Sequence, residues 1–218
     1  MKLLFFLLAC LPLSAQVKPL VGTYLGDNQR NYYGNQAPSK LRVKWKTPLG
    51  SGKTMFGTGD VRTWKGAGWT GQPLVIQEGN ELYLIQGTLS HHVKKIRARD
   101  GKVIWSTSVG DVIKGTPTFV DVGGPAATRY TLIVGSRSGF GQHWRNGTAY
   151  SLHGISYTTG QKLWAHNSRT TASNSRDCDA SAVVVGSKAA IPLENGFFTV
   201  FSPDVRKAKK GGVLPSPK

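Results

Sequence analysis

Two stretches decide the fold: Arg97 to Trp105, RARDGKVIW, and Ser156 to Trp164, SYTTGQKLW. Each sets a glycine four residues ahead of a tryptophan, at Gly101 and Gly160. A tight turn needs a residue tolerant of positive φ there. Working outward, a third tryptophan, Trp45, ends a similar stretch, LRVKWKT, and the three stand 60 and 59 residues apart, since 105 − 45 = 60 and 164 − 105 = 59. A repeat of that period governs every other reading of the chain.

After each tryptophan comes a loop and then an apolar run: GQPLVI, GTPTFV and DASAVVV. ELYLIQ, YTLIVGS and KAAIPLE follow in turn. Alternation of period two, β-branched and aromatic enrichment, and Gly, Asn or Asp at the breaks predict strands rather than helices. The first unit reads as four strands, Leu74 to Gln77, Leu82 to Gln86, Val93 to Ala98 and Val103 to Thr107. The second reads as Thr118 to Val122, Tyr130 to Gly135, Ala149 to Ser156 and Lys162 to His166. A lone strand, Leu41 to Thr47, precedes them, and a third unit supplies three strands ending near Phe198 to Phe201.

These residues resemble the quinoprotein-like (PQQ-like) β-propeller repeat, whose blades carry a Gly-Lys or Gly-Gln turn ahead of a docking Trp. The resemblance covers roughly residues 27 to 204, and it implies an all-β chain of four-stranded antiparallel blades, with Trp45, Gly101, Trp105, Gly160 and Trp164 as structural docking residues. The family's fuller motif sets Ala-x-Asp ahead of the turn. Here Lys95 and Arg97 occupy those places in the first copy, and Gly154 and Ser156 in the second. A docked indole removes on the order of 200 Å² from water, several kcal/mol per joint at about 25 cal/mol/Å².

The strand count gives about three blades, whereas propellers typically have four to eight. The expectation is therefore an incomplete propeller, an open arc with exposed sheet edges, whose remaining blades belong to a longer chain. Within it, residues 1–15 read as a signal peptide, 16–40 as a lead-in, 41–204 as the partial propeller and 205–218 as a basic flexible tail.

Lys2, the apolar run from Leu3 to Leu11 and Leu13-Ser14-Ala15 before Gln16 have the form of a secretory signal. The run is too short to span a bilayer. Export to the periplasm or the exterior follows, with lipid anchoring through Cys10 as the alternative. Cleavage after Ala15 leaves Cys178 as the only thiol, so no intramolecular disulfide can form. Lys and Arg number 28 against 11 acids, a formal net charge of +17, which favours anionic partners. Nucleic acid is disfavoured by export.

On a propeller, the loops between blades share one face with those joining the second and third strands. Here these loops are 47–71, 87–92, 108–115, 136–148 and 167–179, and they gather a candidate ligand-binding set of Arg62, Trp64, Lys65, Trp69, Arg137, His143, Trp144 and Arg145. Arg forks a carboxylate or phosphate, and Trp offers a flat surface to a sugar ring. His91 and His92, adjacent on a strand, point to opposite faces and make a poor metal pair. Asp177 and Asp179 bracket Cys178 but are too few oxygens for calcium. Gly135-Ser136-Arg137-Ser138-Gly139 lacks the strand-to-helix setting of a nucleophile elbow.

No catalytic constellation is predicted, so the favoured function is a non-catalytic propeller that binds or scaffolds a macromolecular partner, a protein or an anionic polymer. The alternatives are a fragment of a quinone-dependent dehydrogenase and an anionic-glycan module. Binding of pyrroloquinoline quinone or calcium is not expected.

Overall fold

The computed structural model describes residues 16–31, 34, 38–56, 59–137, 150–167 and 177–207. The strands run in the order β1 (Val17–Val21), β2 (Ser51–Phe56), β3 (Asp60–Lys65), β4 (Leu74–Glu78), β5 (Glu81–Gly87), β6 (His92–Arg97), β7 (Val103–Ser108) and β8 (Thr118–Asp121). After the short helix α1 (Ala126–Arg129) come β9 (Tyr130–Gly135), β10 (Tyr150–Ser156), β11 (Lys162–Asn167), β12 (Val183–Val185), β13 (Lys188–Pro192) and β14 (Phe198–Phe201).

The repeat organises three antiparallel sheets. Blade 1 is β4-β5-β6-β7, with β1 added at its inner edge; blade 2 is β8-β9-β10-β11; blade 3 is β12-β13-β14. Leu74, Ile76, Ile85 and Val93 of blade 1 pack on Leu132, Val134, Ile155 and Tyr157 of blade 2. The next joint buries Val120, Ile133, Leu152 and Trp164 against Ala189, Ile191, Leu193 and Phe201. Blade 2 therefore meets blade 1 on one face and blade 3 on the other, which is how blades stack. No ladder joins blade 3 to blade 1 among the described strands. The expected open arc of about three blades is what the ladders form.

The tryptophans dock as the repeat requires. The Trp105 indole N–H donates to the Tyr157 carbonyl at 3.1 Å, and Thr107 donates to the Gly160 carbonyl. Trp45 repeats this on blade 1, donating to Ala98 at 2.8 Å while Thr47 donates to Gly101 at 2.7 Å. Trp164 donates to Pro203 at 2.8 Å. Gly101 and Gly160 sit at φ +73° and +75°, and a Cβ on either would press into the indole above it. Trp164 is buried, 3% exposed, whereas Trp105 is half-buried at its joint.

Three expectations need correction. The segment from Leu41 to Thr47 is not a laddered strand: it runs extended beside blade 1, held by Trp45 and Thr47, with no hydrogen-bonded strand partner among the described residues. Residues 47–71 are not only loop, because β2 and β3 form a hairpin there. The lead-in contains β1, which pairs with β4, its register shifting between Pro19 and Val21. Proline lacks a ladder donor and is accepted at such an edge. At the other end Val205–Lys207 forms a single 3-10 turn.

The lead-in then crosses the inner edges of all three blades. β1 covers blade 1; the Gly22 carbonyl accepts from Phe119 N–H on β8; and the Asn28 side chain accepts from Val184 N–H on β12. Arg30 donates to the carbonyls of Ser181 and Ala182. Inner strand edges that would otherwise present unpaired amides are in part satisfied by the chain's own N-terminal segment.

Candidate functional site

The β2–β3 hairpin is the element that positions the candidate site. Its cross-strand pairs Gly52↔Trp64, Thr54↔Arg62 and Phe56↔Asp60 lie on one face, and Lys53↔Thr63 and Ser51↔Lys65 on the other. On the first face Phe56 forms the centre. The Arg62 guanidinium lies 5.0 Å from its ring and the Arg137 guanidinium 4.5 Å. Trp64 meets it edge-on at 5.1 Å, and Trp69 meets Trp64 at 6.0 Å. Trp69 is 78% exposed, so an indole stands open to solvent against Trp64, at the end of the aromatic row that begins at Phe56.

Of the residues expected at this face, the fold brings together Arg62, Trp64, Trp69 and Arg137. Lys65 is turned to the opposite side of the ribbon by strand alternation. His143, Trp144 and Arg145 lie outside the described residues.

The ribbon is anchored from below. His91, at φ +70°, has its Nε2 2.8 Å from the Lys53 carbonyl, and a Cβ on Gly52 would overlap Leu89 and His91, so only glycine permits this approach. Arg137 donates to the Met55 carbonyl at 3.2 Å. His92 Nδ1 faces the Ser90 carbonyl, so the two adjacent imidazoles serve separate contacts.

Under the ribbon lies a buried ionic group whose members are far apart in sequence. Lys114 Nζ is 2.5 Å from Asp179 and 3.6 Å from Asp177, and Arg137 Nε is 3.4 Å from Asp177. Burial pushes the Asp177 carboxyl up to about 6 despite both cations. Among the described residues, no group of three His, Cys, Asp or Glu converges to hold a cation. Asp177 and Asp179 face ammonium and guanidinium groups, and Asp179 Oδ1 is buried without a hydrogen-bond partner among the described residues. No local sequence pattern marks this group, because Lys114, Arg137 and the Asp177–Asp179 stretch come from separate linkers.

Ser136 and His153 form a second pair hidden from the sequence, with Ser136 Oγ 3.2 Å from His153 Nε2. Both are buried, and burial, with the Lys162 charge, lowers the imidazole to about 3. The pair is a neutral contact within the core. Cys178 is buried as well, its thiol pushed up to about 12 by desolvation.

The positions that depart from the family's docking motif have physical replacements. Lys95 is buried with its ammonium 3.9 Å from the Tyr157 ring centroid and 4.3 Å from that of Tyr83, and it bonds Glu78 at 2.9 Å. Tyr157 donates to the same carboxylate at 3.1 Å. Arg97 pairs with Asp100 across the turn. Gly154 leaves the space that the Trp164 indole fills.

No family model matches the chain, and no curated protein does. Among solved structures, the quinohemoprotein alcohol dehydrogenase ADHIIG of Pseudomonas putida HK5 aligns with TM-score 0.45 and 19% identity, over 75% of this chain and 21% of that one. BamB of Moraxella catarrhalis aligns with TM-score 0.37 and 15% identity, over 71% of this chain and 56% of that one. The chain thus spans less than two thirds of either. No helix among the described residues is long and apolar enough to cross a membrane. With Trp45, Trp105 and Trp164 each handing an indole N–H to the following unit, the fold of this chain is a run of antiparallel β-propeller blades.

Proposed function

We propose that the chain is an exported, non-catalytic propeller module that binds a protein partner through the β2–β3 ribbon. The observation that supports this most is the exposed indole of Trp69 beside Trp64, Phe56 and Arg62. Aromatic and arginine side chains supply most of the energy at protein interfaces. The ribbon is held by the blade framework, so little ordering cost opposes binding. A photo-cross-linking residue at Trp69, with one at the distant exposed Leu82 as control, is the test in the native host. A discrete adduct at position 69 that is lost on Trp64→Ala supports the reading; equal labelling at both positions overturns it.

A second reading, an anionic polymer such as an acidic glycan, is favoured by a different observation. Lys40, Arg42, Lys44 and Lys46 are exposed at alternating positions of one extended segment. Such a row spaces its charges by about 7 Å. Retention on heparin that falls steeply with salt and survives Trp69→Ala would assign binding to this row.

A further inference from the structure

We infer that blade 3 is completed by the Leu41–Gly50 segment of a second copy, so that two chains close a six-bladed ring about a twofold axis. The argument starts from register. In blade 1 Trp105 lies opposite Lys95, three residues before Ala98, the carbonyl on which Trp45 docks. In blade 2 Trp164 lies opposite Gly154, three residues before the Tyr157 acceptor. Blade 3 has its acceptor at Pro203, so the same count places a tryptophan opposite Val200 and a partner opposite Phe198. Its outer edge, at β14, carries no fourth strand among the described residues.

The face beyond that edge is also unfilled. Ile76 and Val93 of blade 1 are buried in the first joint, and Val120 and Leu152 of blade 2 in the second. Their counterparts in blade 3 are Val185, 75% exposed, and Phe198, 66% exposed. A third joint is therefore formed on one side only.

The chain carries the missing half. Residues 45–50 show the burial alternation of β7, with Trp45, Thr47 and Leu49 turned towards blade 1 as Trp105, Thr107 and Val109 are turned towards blade 2. The segment is a fourth strand already docked on the next blade, yet without a sheet of its own. Leu41, 88% exposed, and Val43 have no cover. Setting this strand on β14 of a second copy pairs Trp45 with Val200 and Thr47 with Phe198, and sets blade 1 of one chain on the open face of blade 3 of the other. Two such contacts join six blades, within the usual range of four to eight, and a head-to-tail contact that closes gives a ring rather than a fibre.

Sedimentation velocity on the purified protein at tens of micromolar and about 0.15 M salt, which screens the net positive charge, tests this. The expected species has twice the mass of the purified chain, which is 23.6 kDa before removal of residues 1–15. Phe198→Asp should weaken association at least about tenfold with an unchanged circular dichroism spectrum, because the side chain is exposed. Mixing Thr47→Cys with Phe198→Cys under mild oxidation should give a disulfide-linked pair that neither variant gives alone. A monomer, an open series of larger species, or a dimer that survives Phe198→Asp and fails to cross-link would each overturn the proposal; the last would place the contact elsewhere, and the monomer would leave the face to another occupant.

Discussion

The two complete joints share one docking bond and differ in what fills them. Between blades 2 and 3 the Trp164 indole lies in an apolar cluster with Leu152, Ile191 and Phe201, meeting the Phe201 ring edge-on at 5.5 Å. Between blades 1 and 2 Trp105 is only half-buried, and beside it the joint holds the Lys95–Glu78–Tyr157 network. The docking turn sets where the next blade sits, while the residues opposite the tryptophan set how much apolar area the joint removes from water. Gly154 admits the whole indole; Lys95 puts an ammonium there.

That difference predicts unequal losses. Trp164→Ala should cost about 3–5 kcal/mol by leaving a cavity among buried side chains, and Trp105→Ala clearly less, read by urea denaturation. Equal losses would show that the indole's hydrogen bond, common to both joints, outweighs its packing.

The docking turns give the next effect. Gly160→Ala should cost about 2 kcal/mol, because a side chain at positive φ costs about 1–2 kcal/mol and the added methyl meets the Trp105 ring at 2.9 Å. A neutral substitution there would break the equivalence of the joints.

Blade 2 also carries an acid-sensitive group. His153, lowered to about 3, stays neutral in the fold, whereas the unfolded imidazole takes a proton below its ordinary 6.5. The unfolded state then binds more protons, so this contribution to stability is lost as pH falls from about 6.5 towards 3. Asp177, raised to about 6, acts in the opposite sense: between about 4 and 6 the folded carboxyl keeps a proton that the unfolded one has released, and its contribution fades as pH rises. Thermal melts at pH 6 and 4 should show a net loss on acidification, deepened by about 2–4 °C in Asp177→Asn. A shallower loss in that variant would contradict the assignment.

The smallest effect is expected at the joint without a sheet. Trp45→Ala should cost about 1–2 kcal/mol, since the half-buried indole covers one turn and its segment has no ladder to lose.

What the sequence made legible follows from what is local. The Gly-to-Trp spacing and the alternation around it are set within a dozen residues, so the blades could be read directly, whereas the turn on which each indole docks lies in the next unit and had to come from the fold. The ladder of Leu41 to Thr47 depends on a strand elsewhere, and its alternation could not say whether one is there. Pro19 hid β1, because proline argues against a strand except at an edge, and that edge exists only once blade 1 has folded. Arg62 and Trp64 were recognisable as loop residues of the right chemistry, but their grouping around Phe56 required the hairpin register, which also sends Lys65 away. Lys114, Asp177 and Asp179 meet only because successive blades place equivalent linkers side by side.

The central claim, that a tryptophan at the end of one blade docks on the glycine turn of the next, is tested most directly by a double-mutant cycle between Trp105→Ala and Gly160→Ala. If the indole lies on that turn, removing it makes room for the added methyl, and Gly160→Ala should cost at least about 0.5–1 kcal/mol less in the Trp105→Ala background than in the native protein. Additivity within about 0.3 kcal/mol would mean that the two residues do not touch, and would contradict the blade register.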